Sequence, residues 1–135
     1  MEPNKEFVNL ILARHSCKVY KPDPVDTDTL ATIVETARYA PSGMNRQSYE
    51  LRIVDDPKLL EDISRSVNPD AKSIFAGAPA AIFIANGTSY DLSQVDCGLL
   101  AQNILLSAQS LGLGSCCMGA PVRQMKSSEA CAGYM

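Results

Sequence analysis

A chain of 135 residues can build one hydrophobic core but is short for two, and 46% hydrophobic with 20% charged residues is an ordinary globular composition. A net charge of -3, a pI near 5.0 and the lack of any Lys/Arg run argue against a nucleic-acid surface. The charged start Met1-Glu2-Pro3-Asn4-Lys5-Glu6 lacks the apolar stretch of a secretory signal, so a cytoplasmic location is expected.

Residues 5 to 13 carry Phe7, Leu10 and Ile11 at helical spacing, which predicts a first helix. It delivers the cluster Arg14-His15-Ser16-Cys17-Lys18, whose three protonatable side chains and hydroxyl suit either an anion or a solvated helix end. Tyr20-Lys21-Pro22-Asp23-Pro24 is a proline-stiffened connector. Asp26 can cap a helix whose apolar face is Leu30, Ile33, Val34 and Ala37 and which stops before Pro41. The loop from Pro41 to Gln47 is rich in turn formers and polar donors, and Tyr49 to Val54 then alternates as a strand. Asp56, with Pro57 at the first helical position, opens a third helix with Leu59, Leu60, Ile63 and Val67 inward. Residues 68–77 read as irregular or weakly helical. Ala80 to Ala85 is a continuous apolar run, which predicts a strand buried on both faces.

The longest feature is the uncharged run from Cys97 to Val122, between Asp96 and Arg123. Its first half reads as a helix capped by Ser93, with Asp96 three residues on in a capping-box-like start. Leu100, Ile104, Ala108 and Leu111 form one stripe, but Leu99 and Leu106 fall on the opposite arc among Gln102, Asn103, Gln109 and Ser110. Such a helix has no clean solvent face and needs cover on two sides, most simply from a partner subunit. The amide and hydroxyl side chains with Gly112 and Gly114 argue against a membrane span. Ser115 to Met118 is a third strand candidate, and a short helix is expected from Arg123 onward. The sum is a single α+β domain over residues 1–135, with three strands and four or five helices and no repeat or linker.

Several chemistries can be set aside. Gly112-Leu113-Gly114 with Gly119 follows a helix and leads into a strand, the reverse of a dinucleotide fingerprint, and there is no P-loop or G-x-S-x-G elbow. Five cysteines without C-x-x-C spacing and a single histidine, His15, argue against zinc and against a Cys/His nucleophile. The vicinal Cys116-Cys117 pair reads as buried reduced thiols.

Arg14-His15-Ser16-Cys17-Lys18-Val19-Tyr20, then Ala40-Pro41-Ser42-Gly43-Met44-Asn45-Arg46-Gln47, then Leu111 to Ala120 with Gly112-Leu113-Gly114-Ser115 resembles, in order, the nitroreductase family of FMN flavoproteins. The resemblance runs from about Glu6 to the last residue. It implies a three-layer α+β fold with a central antiparallel-type sheet flanked by helices, and a homodimer through the Cys97–Leu111 helix with two flavins in the interface. It also implies the site. Arg14, His15, Ser16 and Lys18 would hold the flavin phosphate and ribityl chain and place a cation near the pyrimidine edge. Asn45 would bond the isoalloxazine rim, supported by Ser42 and Gln47, and the backbone around Met118, Gly119 and Ala120 would approach flavin N5.

The implied activity is FMN-dependent NAD(P)H oxidation with ping-pong hydride transfer to a nitroaromatic, quinone or similar small-molecule acceptor. No catalytic side chain and no metal are expected, because the flavin carries the chemistry. Two positions depart from the family: Ser48 and Tyr49 stand where a proline and a tryptophan are usual, and nothing follows Met135 where members continue with a strand and a C-terminal arm bearing phosphate ligands. A flavin-binding module with little turnover is therefore one alternative, and a non-enzymatic α+β interaction domain a second.

Overall fold

The computed structural model describes residues 3–70, 73–87 and 90–129. Among the described residues five helices and two strands follow one another as α1 (Lys5–Ala13), α2 (Thr27–Ala37), β1 (Tyr49–Val54), α3 (Pro57–Val67), β2 (Ala81–Asn86), α4 (Ser93–Ser110) and α5 (Gly119–Ser127), with a 3-10 turn at Gly43–Asn45 before β1. This mixture is the expected α+β class. The chain divides into two compact units, Met1–Cys17, Asp26–Arg52 and Phe83–Cys116 in the first, and Lys18–Val25, Ile53–Ile82 and Cys117–Met135 in the second.

Local chemistry sets the helix starts. The Asn4 side chain accepts the Phe7 N–H at 3.0 Å, and Asp26 accepts the Thr29 N–H at 2.8 Å and its hydroxyl at 2.6 Å. The Thr29 side chain, then its amide, hold the Asp26 carboxyl below its ordinary value. Asp56 accepts from Lys58 and Leu59, with Pro57 just inside the helix, as expected.

The first unit has its core where α2 meets α4. Ala37, Ala40 and Leu100 are buried, and Tyr49, Leu51, Ile84 and Ile104 pack against them. The Thr36 hydroxyl donates to Ser107 Oγ at 2.7 Å and the Asn103 side-chain amide donates to the Thr36 carbonyl at 3.4 Å. In the second unit, Leu60, Ile63, Ile74, Phe75, Pro121 and Met125 are buried. There the irregular segment is tied to α3 by the Ile74 N–H donating to buried Ser64 at 3.3 Å, and α5 by the Ser128 hydroxyl donating to the Ser66 carbonyl at 3.2 Å.

Five expectations are corrected. Leu92, not Ser93, precedes α4 and lends no side chain to it; Ser93 is the first helical residue and its hydroxyl accepts from the Asn86 amide at 3.1 Å. The expected third strand is reduced to one parallel bridge, Ser16 to Ser115, so the sheet among the described residues has two antiparallel strands. With one neighbour only, β2 is half-buried along Ala81 to Ile84 and exposed at Ala85 and Asn86 rather than covered on both faces. α5 begins at Gly119, four residues before Arg123, because a proline at its third position tolerates a first turn whose amides need no partner. Of the vicinal pair, Cys116 is half-buried but Cys117 is exposed, since successive residues of an extended segment face opposite ways. Cys131 lies outside the described residues.

α4 ends as its sequence directs. The Leu113 N–H donates to Ala108 and the Gly112 N–H to Gln109, a Schellman turn whose left-handed position, φ 76, is taken by glycine. Among the described residues no helix is long and apolar enough to cross a membrane.

Candidate functional site

The loop between α2 and β1 is held in an unusual shape. Met44, Asn45 and Gln47 all have positive φ, at 51, 53 and 49 degrees, although none is glycine. Each such residue costs roughly 1 kcal/mol or more and persists only where its surroundings impose it. The restraints are visible. Asn45 and Arg46 amides donate back to Ser42 and Gly43 carbonyls, the Gln47 N–H donates to the Ser42 hydroxyl at 3.0 Å, and the Gly87 N–H donates to the Ser48 carbonyl at 2.8 Å. From α4, the buried Asp96 carboxylate accepts the Gly43 N–H at 3.0 Å. Tyr90 presses its phenol on Gly43 so closely that a Cβ there would lie 1.8 Å from the hydroxyl oxygen. Arg46 in turn stacks its guanidinium 4.6 Å over the Tyr90 ring.

This frame brings the predicted residues Ser42, Asn45 and Gln47 together. Ser42 is half-buried, Asn45 and Gln47 are exposed, and the Gln47 side-chain amide donates to Asn45 Oδ1 at 3.2 Å. That bond uses the Gln47 donor and the Asn45 acceptor, so that Asn45 Nδ2, a donor, and Gln47 Oε1, an acceptor, are the groups the pair can offer to a planar polar ligand.

Arg14, His15 and Ser16 form the second group of the same unit. Half-buried Arg14 closes α1 with its N–H donating to Leu10 at 3.2 Å, and exposed His15 places Nδ1 3.3 Å from the Ala13 carbonyl oxygen. Ser16 pairs with Ser115, and the Cys17 N–H donates to the Ser115 carbonyl at 3.0 Å. The two segments approach so closely that a Cβ on Gly114 would meet Cys17 Sγ at 2.9 Å. Lys18, exposed, and the Met118-Gly119-Ala120 segment belong to the second unit. Met118 stands at the cap of α5 without a side-chain bond, so the first amides of Gly119 and Ala120 are presented at a helix start rather than along a strand.

Sequence reasoning missed Asp96, Tyr90, Arg46 and Ser115. The usable signal was Asp96, which shares the stripe of Leu100 and Ile104 at four-residue spacing and is therefore a buried acid. Burial, and then the neighbouring Asp96 charge, push the Cys97 thiol above its ordinary value, which keeps it protonated at neutral pH and unsuited to nucleophilic work. Among the described residues no group of three or more His, Cys, Asp or Glu side chains could hold a metal.

The strained donor loop and the Arg14–Ser16 segment are thus carried by one unit of an α+β protein. Residues 11–125 match the family model described as the Nitroreductase family, and the chain belongs to that family. A candidate NADH dehydrogenase/NAD(P)H nitroreductase of Archaeoglobus fulgidus is 29% identical over 125 residues, 89% of this chain and 71% of the relative. One of the same name from Methanothermobacter thermautotrophicus is 29% identical over 82% of this chain and 59% of its own length. Among solved structures, a nitroreductase with bound FMN from Desulfitobacterium hafniense superposes with a TM-score of 0.82 at 29% identity, covering 94% of this chain and 76% of that one. An FMN-dependent nitroreductase of Clostridium difficile gives 0.77 at 32% identity, covering 84% and 60%. The chain thus spans 59% to 76% of the length of these four relatives.

Proposed function

We propose that this chain binds FMN and is an FMN-dependent NAD(P)H oxidoreductase that reduces nitroaromatics, quinones or similar small acceptors. The observation that carries the reading is the left-handed run Met44, Asn45 and Gln47, a costly conformation that presents two side-chain amides and is fixed from α4. FMN, when bound, accepts a hydride from NAD(P)H and passes electrons to the acceptor. The residues present fit such a group: Asn45 and Gln47 offer the donor and acceptor that a flavin rim requires, and Arg14, His15 and Ser16 offer the charge-assisted donors that a phosphate requires. None of these side chains needs to move a proton; they bind, orient and tune.

The functional unit in this reading is a homodimer. The Asn45 loop is anchored at Asp96 in the first turn of α4, whereas Ser16 is anchored at Ser115 beyond its other end. The fourteen residue steps from Asp96 to Ser110 measure about 21 Å of helix. A second copy with its α4 antiparallel would set the loop of one chain against the cationic segment of the other, making two equal sites. The exposed apolar residues Val95 and Leu99 on α4 with Leu92 just before it, and Phe7, Val8, Ile11 and Leu12 on α1, supply the surface for that pairing.

The test is a fluorescence titration with FMN, followed by NAD(P)H oxidation with a nitroaromatic and a quinone. Saturable FMN binding with acceptor-dependent oxidation supports the reading; no binding overturns it. Mixing Arg14→Ala and Asn45→Ala chains tests the composite arrangement. If each site takes its parts from two chains, the mixed dimer regains one intact site, whereas sites built within one chain all stay impaired.

A further inference from the structure

Asp96 is the residue whose position the assigned ligands leave unexplained. Its side chain is 3% exposed, Oδ1 accepts the Gly43 N–H at 3.0 Å, and Oδ2 is buried without a hydrogen-bond partner among the described residues. A buried carboxylate with one bond is costly, so a fold that keeps it there uses the one bond it makes. That bond ends on the residue preceding the left-handed Met44 and Asn45. The same glycine is boxed in on its other side by Tyr90, which carries Arg46 on its ring.

We propose that Asp96 is a positioning residue, a clamp that sets the left-handed loop through the Gly43 amide and thereby aims Asn45 and Gln47 at the flavin. The inference rests on the flavin reading only for what the loop is aimed at; the clamp itself belongs to the unliganded chain. Asp96 lies in the first turn of α4, so the same residue that belongs to the helix start reaches the loop. Asp96→Asn retains an acceptor for Gly43 and supplies an amide in place of Oδ2, whereas Asp96→Ala leaves the Gly43 N–H without its acceptor.

Amide hydrogen exchange of the unliganded protein and FMN titration by fluorescence are read together on wild type, Asp96→Ala, Asp96→Asn and the control Ser107→Ala. The control removes another buried polar group of α4, the one bonded to Thr36, far from the loop. Expected are loss of protection at Gly43 and weakening of FMN by at least about tenfold in Asp96→Ala, with both largely restored in Asp96→Asn and untouched in Ser107→Ala. Unchanged protection and affinity in Asp96→Ala overturn the proposal. So do equal losses in Ser107→Ala at a matched fall in melting temperature, which would make Asp96 merely structural. If no variant nor wild type binds FMN, yet exchange at Gly43 still separates Asp96→Ala from the rest, the clamp stands and the flavin reading falls.

Discussion

Gly43→Ala offers a quantitative check on the frame around the loop. The added methyl would lie 1.8 Å from the Tyr90 hydroxyl oxygen, 2.9 Å from Cζ and 3.3 Å from the next ring carbon, so the clash is concentrated on one atom. The ring cannot swing away without losing the Arg46 guanidinium stacked 4.6 Å above it, nor can the loop retreat without breaking the Gly43 to Asp96 bond. Overpacking of this kind costs about 1–3 kcal/mol. With an unfolding entropy of roughly 2.1 cal/mol/K per residue over a chain of this length, that lowers the melting temperature by about 4 to 11 °C. Tyr90→Phe removes the offending oxygen and keeps the ring under Arg46, so the double variant Gly43→Ala with Tyr90→Phe should recover about 1 kcal/mol or more of the loss as a coupling energy. Thermal melts followed by circular dichroism on the four proteins of the cycle give that number. Wild-type melting in Gly43→Ala, or two single effects that simply add, would refute the geometry.

Leu100, the side chain with no exposure at the α2–α4 contact, should cost about 2.7–5 kcal/mol as Leu100→Ala, measured by urea unfolding. Asp26, whose carboxyl is held below its ordinary 3.8 by Thr29, should stabilise α2 fully above that pH and lose its effect as pH falls through the lowered value; the acid limb of a melting curve should therefore shift in Asp26→Ala, and the two proteins should converge at the lowest pH. Arg14→Ala should weaken FMN by about one to two decades while leaving riboflavin, which lacks the phosphate, nearly unchanged; equal losses for both flavins would remove Arg14 from the phosphate site. Leu99→Glu, at a position 41% exposed in one chain, should halve the mass seen by light scattering while keeping the helical spectrum, and a wild type that is already monomeric would contradict the dimer.

Helices α2 and α3 were legible because Asp26 and Asp56 announce their starts and a regular apolar spacing their inner faces, whereas α1 was legible from the spacing of Phe7, Leu10 and Ile11 alone, a face that the single chain leaves largely exposed. Residues 5–13 and Asp26 are observed as read. Read without the family resemblance, the loop Pro41 to Gln47 was legible only as a turn. Its left-handed shape is set by Asp96, more than fifty residues away, and by Tyr90, and no local pattern records a restraint of that range. The third strand failed for a related reason: Ser115 to Met118 has the composition of a strand, but a strand exists only where a partner offers a ladder, and among the described residues Ser16 offers one rung.

The central helix shows why its wheel had no solvent face. Its buried side carries polar Ser93, Asp96 and Ser107 beside Leu100, and each finds a partner in Asn86, Gly43 or Thr36. Its exposed side carries Val95 and Leu99, in line with Leu92 just before the helix, at a spacing of three and then four residues. The helix is thus inverted in part, with hydrogen bonds inward and apolar groups outward. For an isolated chain that arrangement loses apolar burial on one face and offsets it with directional bonds on the other, a poor exchange in stability alone. It becomes favourable if the outer face is covered by a second copy, and the inward bonds then serve a different end, because a bond fixes a direction where an apolar contact does not. The Asp96 to Gly43 bond transfers that direction to the loop that presents Asn45. The same inversion that hid the helix from a periodicity argument is therefore what connects the proposed interface to the proposed cofactor site.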